Sequence, residues 1–287
     1  MPQTSLTEAA FGARPLPWSP VAVPPGAPPR ARLLAAVVLG AQGRYAAAAT
    51  LLGDLRRGSD PLVVSLALST LASHRRQLGG HATARVLDAE ALSLATRLPA
   101  GLADPDGLDA AGATADALLG LAADNLALGR IAAARRLAGR VAGQEGQKGQ
   151  SWRTAVRSGW VHAEIELAAG RAAEALAPAE RAVVLARARD ARRHTVKSEL
   201  VLGAALCAAG RPADRDRAAD LVLGALETAE KYELNSLIWP ACLIAADLGT
   251  EHGEKYRFRS AEVLHGVLRS ADPCGRRIAR ESPWVPT

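Results

Sequence analysis

Histidines are the first residues to consider for catalysis, because a histidine often serves as a general base or a metal ligand. The six histidines are scattered, and none lies in an H-E-x-x-H motif; G-x-S-x-G is also absent. His162 and Glu166 have the spacing of one helix face, which suits a metal site but is more often a structural contact. The sequence therefore predicts a protein that is not an enzyme and has neither a metal nor a cofactor.

Neither cysteine spacing nor glycine-rich segments indicate a special site. Cys207, Cys242 and Cys274 lie far apart and form no C-x-x-C pair, which disfavours a disulfide framework or a zinc site and favours the cytoplasm. The segment GQEGQKGQS (143–151) lacks the order of a phosphate-binding loop, so we predict a linker. We expect no signal peptide and no membrane span, because no apolar run approaches about 18 residues.

Aromatic, aliphatic and cationic residues recur at two fixed distances before a series of glycines. Trp160, Leu200 and Trp239 lie ten residues before a glycine, and Arg157 and Lys197 lie thirteen residues before one. An aromatic anchor buries a large area, and a neighbouring cation orients a carboxylate. We therefore predict that these residues bind a peptide with an apolar side chain and a carboxylate. The alternative, that Trp160 and Trp239 are inter-helix core, stays open and is favoured for Trp239. The predicted partner-binding set is Arg76, Arg157, Trp160, Lys197, Leu200 and Trp239.

The charge balance raises the alternative of a nucleic-acid partner. The net charge is +6 and the isoelectric point is about 9.7. The densest basic run, RARDARRHTVK (187–197), suits either a solvated helix end or a patch for an acidic partner. It contains no aromatic residue for base stacking, so we favour the solvated helix end and rank nucleic acid below protein.

Helices must position these residues, since apolar residues recur at spacings of three and four from about residue 32 to residue 271. Only 3% of the residues are aromatic, and the apolar residues are mostly small or aliphatic. A similar motif returns with a glycine at each helix-to-helix junction, where a left-handed turn favours glycine. These junctions are predicted at Gly43, Gly79, Gly129, Gly170 and Gly210.

The recurring unit resembles the tetratricopeptide repeat family, in a degenerate, bacterial form. The residues that carry the resemblance are Leu71, Ala72, Gly79, Ala84 and Ala91, and again Leu121, Ala122, Gly129 and Ala134. The early Trp, the Tyr and the terminal Pro of the family pattern are mostly missing. The resemblance implies an all-α fold, a right-handed α-solenoid of five to six antiparallel helix hairpins with a concave groove.

Composition divides the chain into three parts. Residues 1–30 carry seven prolines between Pro15 and Pro29, so we predict a flexible extended arm, with Trp18 as the residue expected to dock. Residues 31–271 form the helical-repeat domain, and 272–287 are predicted to be an irregular tail.

Two functions follow. The first is a cytoplasmic adaptor that binds a partner protein segment in its groove. The alternative is a regulatory or sensor subunit of a transcription or nucleic-acid-associated complex that uses arginine-rich helix ends.

Overall fold

The computed structural model describes residues 5–15, 23–24, 26–142, 151–248 and 252–286. Within these ranges the chain forms fourteen α-helices and no β-strand. The helices are α1 (Leu6–Phe11), α2 (Pro29–Ala41), α3 (Tyr45–Leu55), α4 (Pro61–Gln77), α5 (His81–Ala95), α6 (Ala110–Ala127), α7 (Ile131–Ala142), α8 (Trp152–Ala168), α9 (Ala172–Ala188), α10 (Arg192–Ala209), α11 (Arg215–Lys231), α12 (Asn235–Asp247), α13 (Gly253–Arg269) and α14 (Pro273–Glu281).

Local sequence explains where many of these helices begin and end. Several start at a serine or aspartate whose side chain accepts a hydrogen bond from a backbone N–H two or three residues later. These N-caps are Ser5, Asp60, Asp109, Ser151 and Asp272. The prediction of glycine turns is confirmed, because the junction glycines have φ angles of 64° to 76°. They are Gly43, Gly79, Gly129, Gly170 and Gly210.

The helices pack as neighbouring antiparallel pairs, α2 with α3, α4 with α5, and so on to α12 with α13. The first helices of these pairs, α2, α4, α6, α8, α10 and α12, are called the inner helices below. Each inner helix contacts the next, and α12 also contacts α2. The inner helices therefore form a closed circuit.

The circuit closes with an offset, because the start of α12 meets the end of α2. The Asn235 side chain donates a hydrogen bond to the Gln42 carbonyl oxygen at 3.1 Å. The backbone N–H of Ala46 donates to the Ser270 carbonyl oxygen at 2.8 Å, so the end of α13 reaches the start of α3. The last pair is thus stacked on the turn of the first pair.

The C-terminal segment continues this closure as a helix. Asp272 pairs with Arg75 at 2.6 Å, and Ile278 and Val285 pack with Leu78 in one hydrophobic cluster. The prediction of an irregular tail over 272–287 is therefore wrong for Pro273–Glu281. A proline in the first turn lacks only an N–H that would have no helical partner, so the prolines did not exclude a helix.

The N-terminal arm is also partly helical. The prediction of an extended arm over residues 1–30 is wrong for α1, which precedes the first proline of the dense run, and for α2, which begins at Pro29. Trp18 and most of the predicted linker 143–151 lie outside the described residues. In the described parts of the chain, every helix is too short or too polar to cross a membrane.

Candidate functional site

Residues 5–15, called the N-terminal segment below, pack across several inner helices. Helix α1 packs against α2 and α10, and Phe11 is buried in one cluster with Leu33. The backbone N–H of Arg192 donates a hydrogen bond to the Gly12 carbonyl oxygen at 3.0 Å. The Arg153 guanidinium carbon lies 5.6 Å from the centre of the Phe11 ring. The segment thus contacts three inner helices, α2 and the first turns of α8 and α10, and the surface that these helices present to it is called the inner face below.

Beneath Phe11, two arginines of α8 share one carboxylate. Arg153 is buried and donates to Asp116 at 2.8 and 3.2 Å, and to the carbonyl oxygens of Asp106 and Gly107 at 2.7 and 3.0 Å. The Arg157 Nε lies 3.3 Å from the same Asp116, and 23% of the Arg157 side chain is accessible. Solvent therefore reaches the predicted site residue Arg157, whereas Arg153 is buried and hydrogen-bonded to Asp106, Gly107 and Asp116.

Trp160 and Lys197 lie close to this pair, on the neighbouring inner helices α8 and α10. The Trp160 indole is partly exposed, donates to the Ser198 hydroxyl at 2.8 Å and stacks on His194 at 5.6 Å between ring centres. The Lys197 ammonium lies 3.0 Å from Glu164, and about a third of each side chain is exposed (35% and 34%). The structure thus brings Arg157, Trp160 and Lys197 together on adjacent helices.

Leu200 and Trp239 do not join them. Leu200 is 3% exposed and packs in the core between α10 and α12. Trp239 is 8% exposed and packs with Tyr45 and Val267 at the closure of the circuit. Trp239 is buried because the last pair packs on the first, whereas the sequence prediction assumed an open stack; Leu200 is buried between neighbouring pairs. Neither side chain is available to a partner here, and the core interpretation of Trp239 agrees with this packing.

Arg76 also differs from the prediction, because internal carboxylates surround it. Its guanidinium donates to Asp124 at 2.8 Å and to Asp88. Both carboxylates are buried, and burial raises the pKa of Asp88 to about 7 against the lowering effect of Arg76. A Cβ at Gly120 would lie 2.1 Å from Asp88, so only glycine leaves room for this carboxylate. Arg76 therefore ties α4, α5 and α6 together.

Two buried histidines face the same interior. His194 lies among Phe11, Trp152 and Trp160. Burial lowers its pKa well below the usual value, and the charges of Arg193, Arg153 and Arg157 lower it further. Burial likewise lowers the pKa of His74 to about 3. Both imidazoles are therefore neutral at pH 7.

The basic run 187–197 divides between solvent and interior. Arg187 is exposed and binds Glu199 at 2.7 Å, and the Arg189 guanidinium lies 4.0 Å from Asp106. These contacts agree with a solvated helix end and neutralise part of the charge. His194 from the same run is buried, and the Arg193 Nε atom is buried as well.

The residues considered for metal binding have other partners. His162 contacts the Ser158 carbonyl oxygen at 2.8 Å through Nδ1, whereas Glu166 binds Arg135 and Arg171. Within the described residues, no group of three histidine, cysteine or acidic side chains is arranged to hold a metal ion.

Sequence reasoning missed two contributors to the inner face, Phe11 and Arg153, and considered Arg193 and His194 only as part of the basic run 187–197. One signal was available for Arg153, because Arg153 and Arg157 have the spacing that places two side chains on one helix face. No pattern indicated Phe11, which lies far from the repeats in sequence.

The chain matches no model of a known protein family. No curated protein sequence matches it either.

Proposed function

We propose that this protein is a non-catalytic scaffold that binds a segment of a partner protein on its inner face. In this proposal the helix pairs form a right-handed, tetratricopeptide-like solenoid. The partner segment carries an apolar side chain and a carboxylate, and it contacts Arg157, Trp160 and Lys197. The observation that carries the proposal is the position of residues 5–15, a peptide segment already bound across three inner helices.

The N-terminal segment has the chemistry predicted for the partner. It presents Phe11 to Arg153 and carries a carboxylate at Glu8. Within the segment, the Glu8 carboxylate accepts hydrogen bonds from the backbone N–H groups of Ala13 and Arg14 at 3.0 and 3.2 Å. These hydrogen bonds are internal to the segment, so they do not bind it to the inner face. A partner segment with a free carboxylate would add an ionic contact to Arg157 or Lys197.

Displacement of the N-terminal segment is energetically feasible. Its helix has only six residues, and a helix this short is not stable on its own in water. Few buried side chains hold the segment in place, chiefly Ala9, Ala10 and Phe11. A partner that reaches Trp160 and Lys197 as well would bury more area and gain charge contacts, so it would compete successfully.

A labelled peptide of residues 5–15 tests whether the inner face binds segments. The full chain, the Phe11→Ala variant and the Phe258→Ala control are titrated with it by fluorescence polarisation. Phe258 is a matched control because its ring is 68% exposed on α13. We expect at least tenfold tighter peptide binding to Phe11→Ala, since its own segment competes less. Equal binding to all three proteins would contradict the proposal.

Affinity capture then tests the partner contacts in the Phe11→Ala background. A candidate partner is a protein that is recovered in larger amount with Phe11→Ala than with the unaltered chain. Adding Trp160→Ala or Lys197→Glu to Phe11→Ala should reduce the recovery of this partner. Circular dichroism checks that each variant is folded. Unchanged recovery of the partner with both additions would show that Trp160 and Lys197 do not contribute to binding.

A further inference from the structure

On the inner face, Arg193 has no carboxylate partner among the described residues. Arg193 is the second residue of α10 and interacts electrostatically with Tyr45, Arg153 and Arg157. Its Nε atom is buried and donates no hydrogen bond. Guanidinium N–H groups that are buried in proteins are normally paired, because removing them from water without a partner is unfavourable. Arg193 therefore stands out from Arg76 and Arg153, whose carboxylates are close.

The charges around Arg193 and Arg157 sum to an excess of one. Arg76, Arg153, Arg157 and Arg193 contribute four positive charges, and Asp88, Asp116 and Asp124 contribute three negative charges. Asp116 is committed, since it accepts two hydrogen bonds from Arg153. The Arg157 Nε, although 3.3 Å from Asp116, lacks hydrogen-bond geometry. Arg157 and Arg193 thus retain N–H donors for another anion.

Two neutral imidazoles add unpartnered polar atoms next to this excess charge. His74 and His194 are each 3% exposed, and the Nδ1 atom of each has no hydrogen-bond partner within the described chain. Both interact electrostatically with Arg193. Buried polar atoms are satisfied in the great majority of cases, so two unpaired nitrogens beside unpaired guanidinium groups indicate a ligand with several acceptor oxygens.

We propose that Arg157 and Arg193 bind a phosphate group on the inner face, with a neutral imidazole of His74 or His194 as an additional hydrogen-bond donor. A phosphate group near pH 7 carries a charge of about −1.5 to −2, which is opposite in sign to the excess positive charge and would neutralise it. It also accepts several charge-assisted hydrogen bonds from arginine. Access exists, because part of the Arg157 side chain is exposed to solvent.

The site differs from the partner-binding surface in its ligand and its central residue. The two sites share Arg157, but only the phosphate site requires Arg193 and no protein partner, so the Arg193 variants test it separately from the scaffold proposal. Arg153 contributes mainly charge, because four of its five N–H donors already bind Asp106, Gly107 and Asp116.

The test measures the melting temperature and the calorimetric affinity of the full chain with inorganic phosphate, against sodium chloride at equal ionic strength. We expect phosphate to raise the melting temperature of the unaltered chain. Arg193→Met should weaken phosphate binding at least tenfold, and Arg193→Lys, which keeps the charge, should retain part of the response. Arg181→Met is the matched control, because Arg181 is exposed on α9.

Without phosphate, Arg193→Met should be at least as stable as the unaltered chain, since it removes a charge that Arg153 and Arg157 repel. A purely structural Arg193 would instead give a less stable variant and no phosphate response in any protein, which would overturn the proposal. The same phosphate response in Arg193→Met and the unaltered chain would also overturn it. Adenosine monophosphate distinguishes the source: tighter binding than phosphate indicates a phosphomonoester, and equal or weaker binding indicates free phosphate.

Discussion

Arg76 shows how a single residue can hold three helices together. Replacing it with methionine would leave Asp88 and Asp124 buried without their cation. Removing one partner of a buried ion pair typically costs about 3 to 5 kcal/mol, so we expect a loss of this size in the free energy of unfolding. Urea denaturation at pH 7 measures it.

Arg135→Met is the control for this prediction. Arg135 pairs with Glu166 at 3.0 Å, but nearly half of its side chain is exposed. A surface pair contributes about 0 to 1 kcal/mol. Similar losses for Arg76→Met and Arg135→Met would show that the Arg76 cluster is not a buried network.

His194 gives the fold a defined response to acid. Its pKa is lowered in the folded chain from the ordinary value of 6.5, so below pH 6.5 the unfolded chain binds a proton that the folded chain does not. The stability contributed by the neutral imidazole is therefore lost as the pH falls through 6.5. The linkage relation gives a loss of about 1.4 kcal/mol at pH 5.5 for one such histidine.

His194→Phe removes this titration while keeping a ring among Phe11, Trp152 and Trp160. We expect the drop in unfolding free energy between pH 7.5 and pH 5.5 to be about 1.4 kcal/mol smaller in the variant. Denaturation curves at the two pH values measure it. His252→Phe changes an exposed histidine and should leave the drop unchanged. Parallel pH profiles for all three proteins would mean that His194 is not buried in neutral form.

At the scale of elements, the turn glycines are not equivalent. Gly43 and Gly129 both have a φ of 74°, but a Cβ at Gly43 would lie 2.7 Å from Val267, whereas nothing lies within 4 Å at Gly129. Gly129→Ala should cost about 1 to 2 kcal/mol for the left-handed backbone alone. Gly43→Ala should cost more, because α13 packs against this turn.

Thermal unfolding of the two alanine variants measures this difference. A larger loss at Gly129 than at Gly43 would contradict the packing of α13 on the first turn. Val267→Ala in the Gly43→Ala background should recover part of the loss, since it makes room for the added methyl group.

At the scale of the whole molecule, the closed circuit makes the two ends of the chain depend on each other. Ending the chain after Ala271 would remove Asp272 from Arg75, and Ile278 and Val285 from the cluster with Leu78. Losing such buried aliphatic contacts costs about 2 kcal/mol or more. We expect faster amide hydrogen exchange in α3, α4 and α13 in the truncated chain.

Helix α7 serves as the internal control in the same exchange experiment. It packs against α6 and α8, away from the closure, so its exchange should change little. Equal acceleration in α7 and α4 would indicate global destabilisation instead of a local opening of the circuit.

Several features follow from the sequence alone, because they depend on residues that are close along the chain. The helical period and the left-handed glycine turns are local properties, and they sufficed to predict paired helices joined at Gly43, Gly79, Gly129, Gly170 and Gly210. The same register placed Arg157, Trp160 and Lys197 on adjacent inner helices, since a repeat carries its register from one unit to the next.

Only the tertiary structure decided which side chains are covered. Leu200 is buried where α10 packs on α11 and α12, and Trp239 is buried where the last pair packs on the first, a closure that no local pattern predicts. Phe11 reaches Arg153, and Arg75 reaches Asp272, across long separations in the chain. Contacts of this kind depend on how all the helices add up in space, so no short stretch of sequence encodes them.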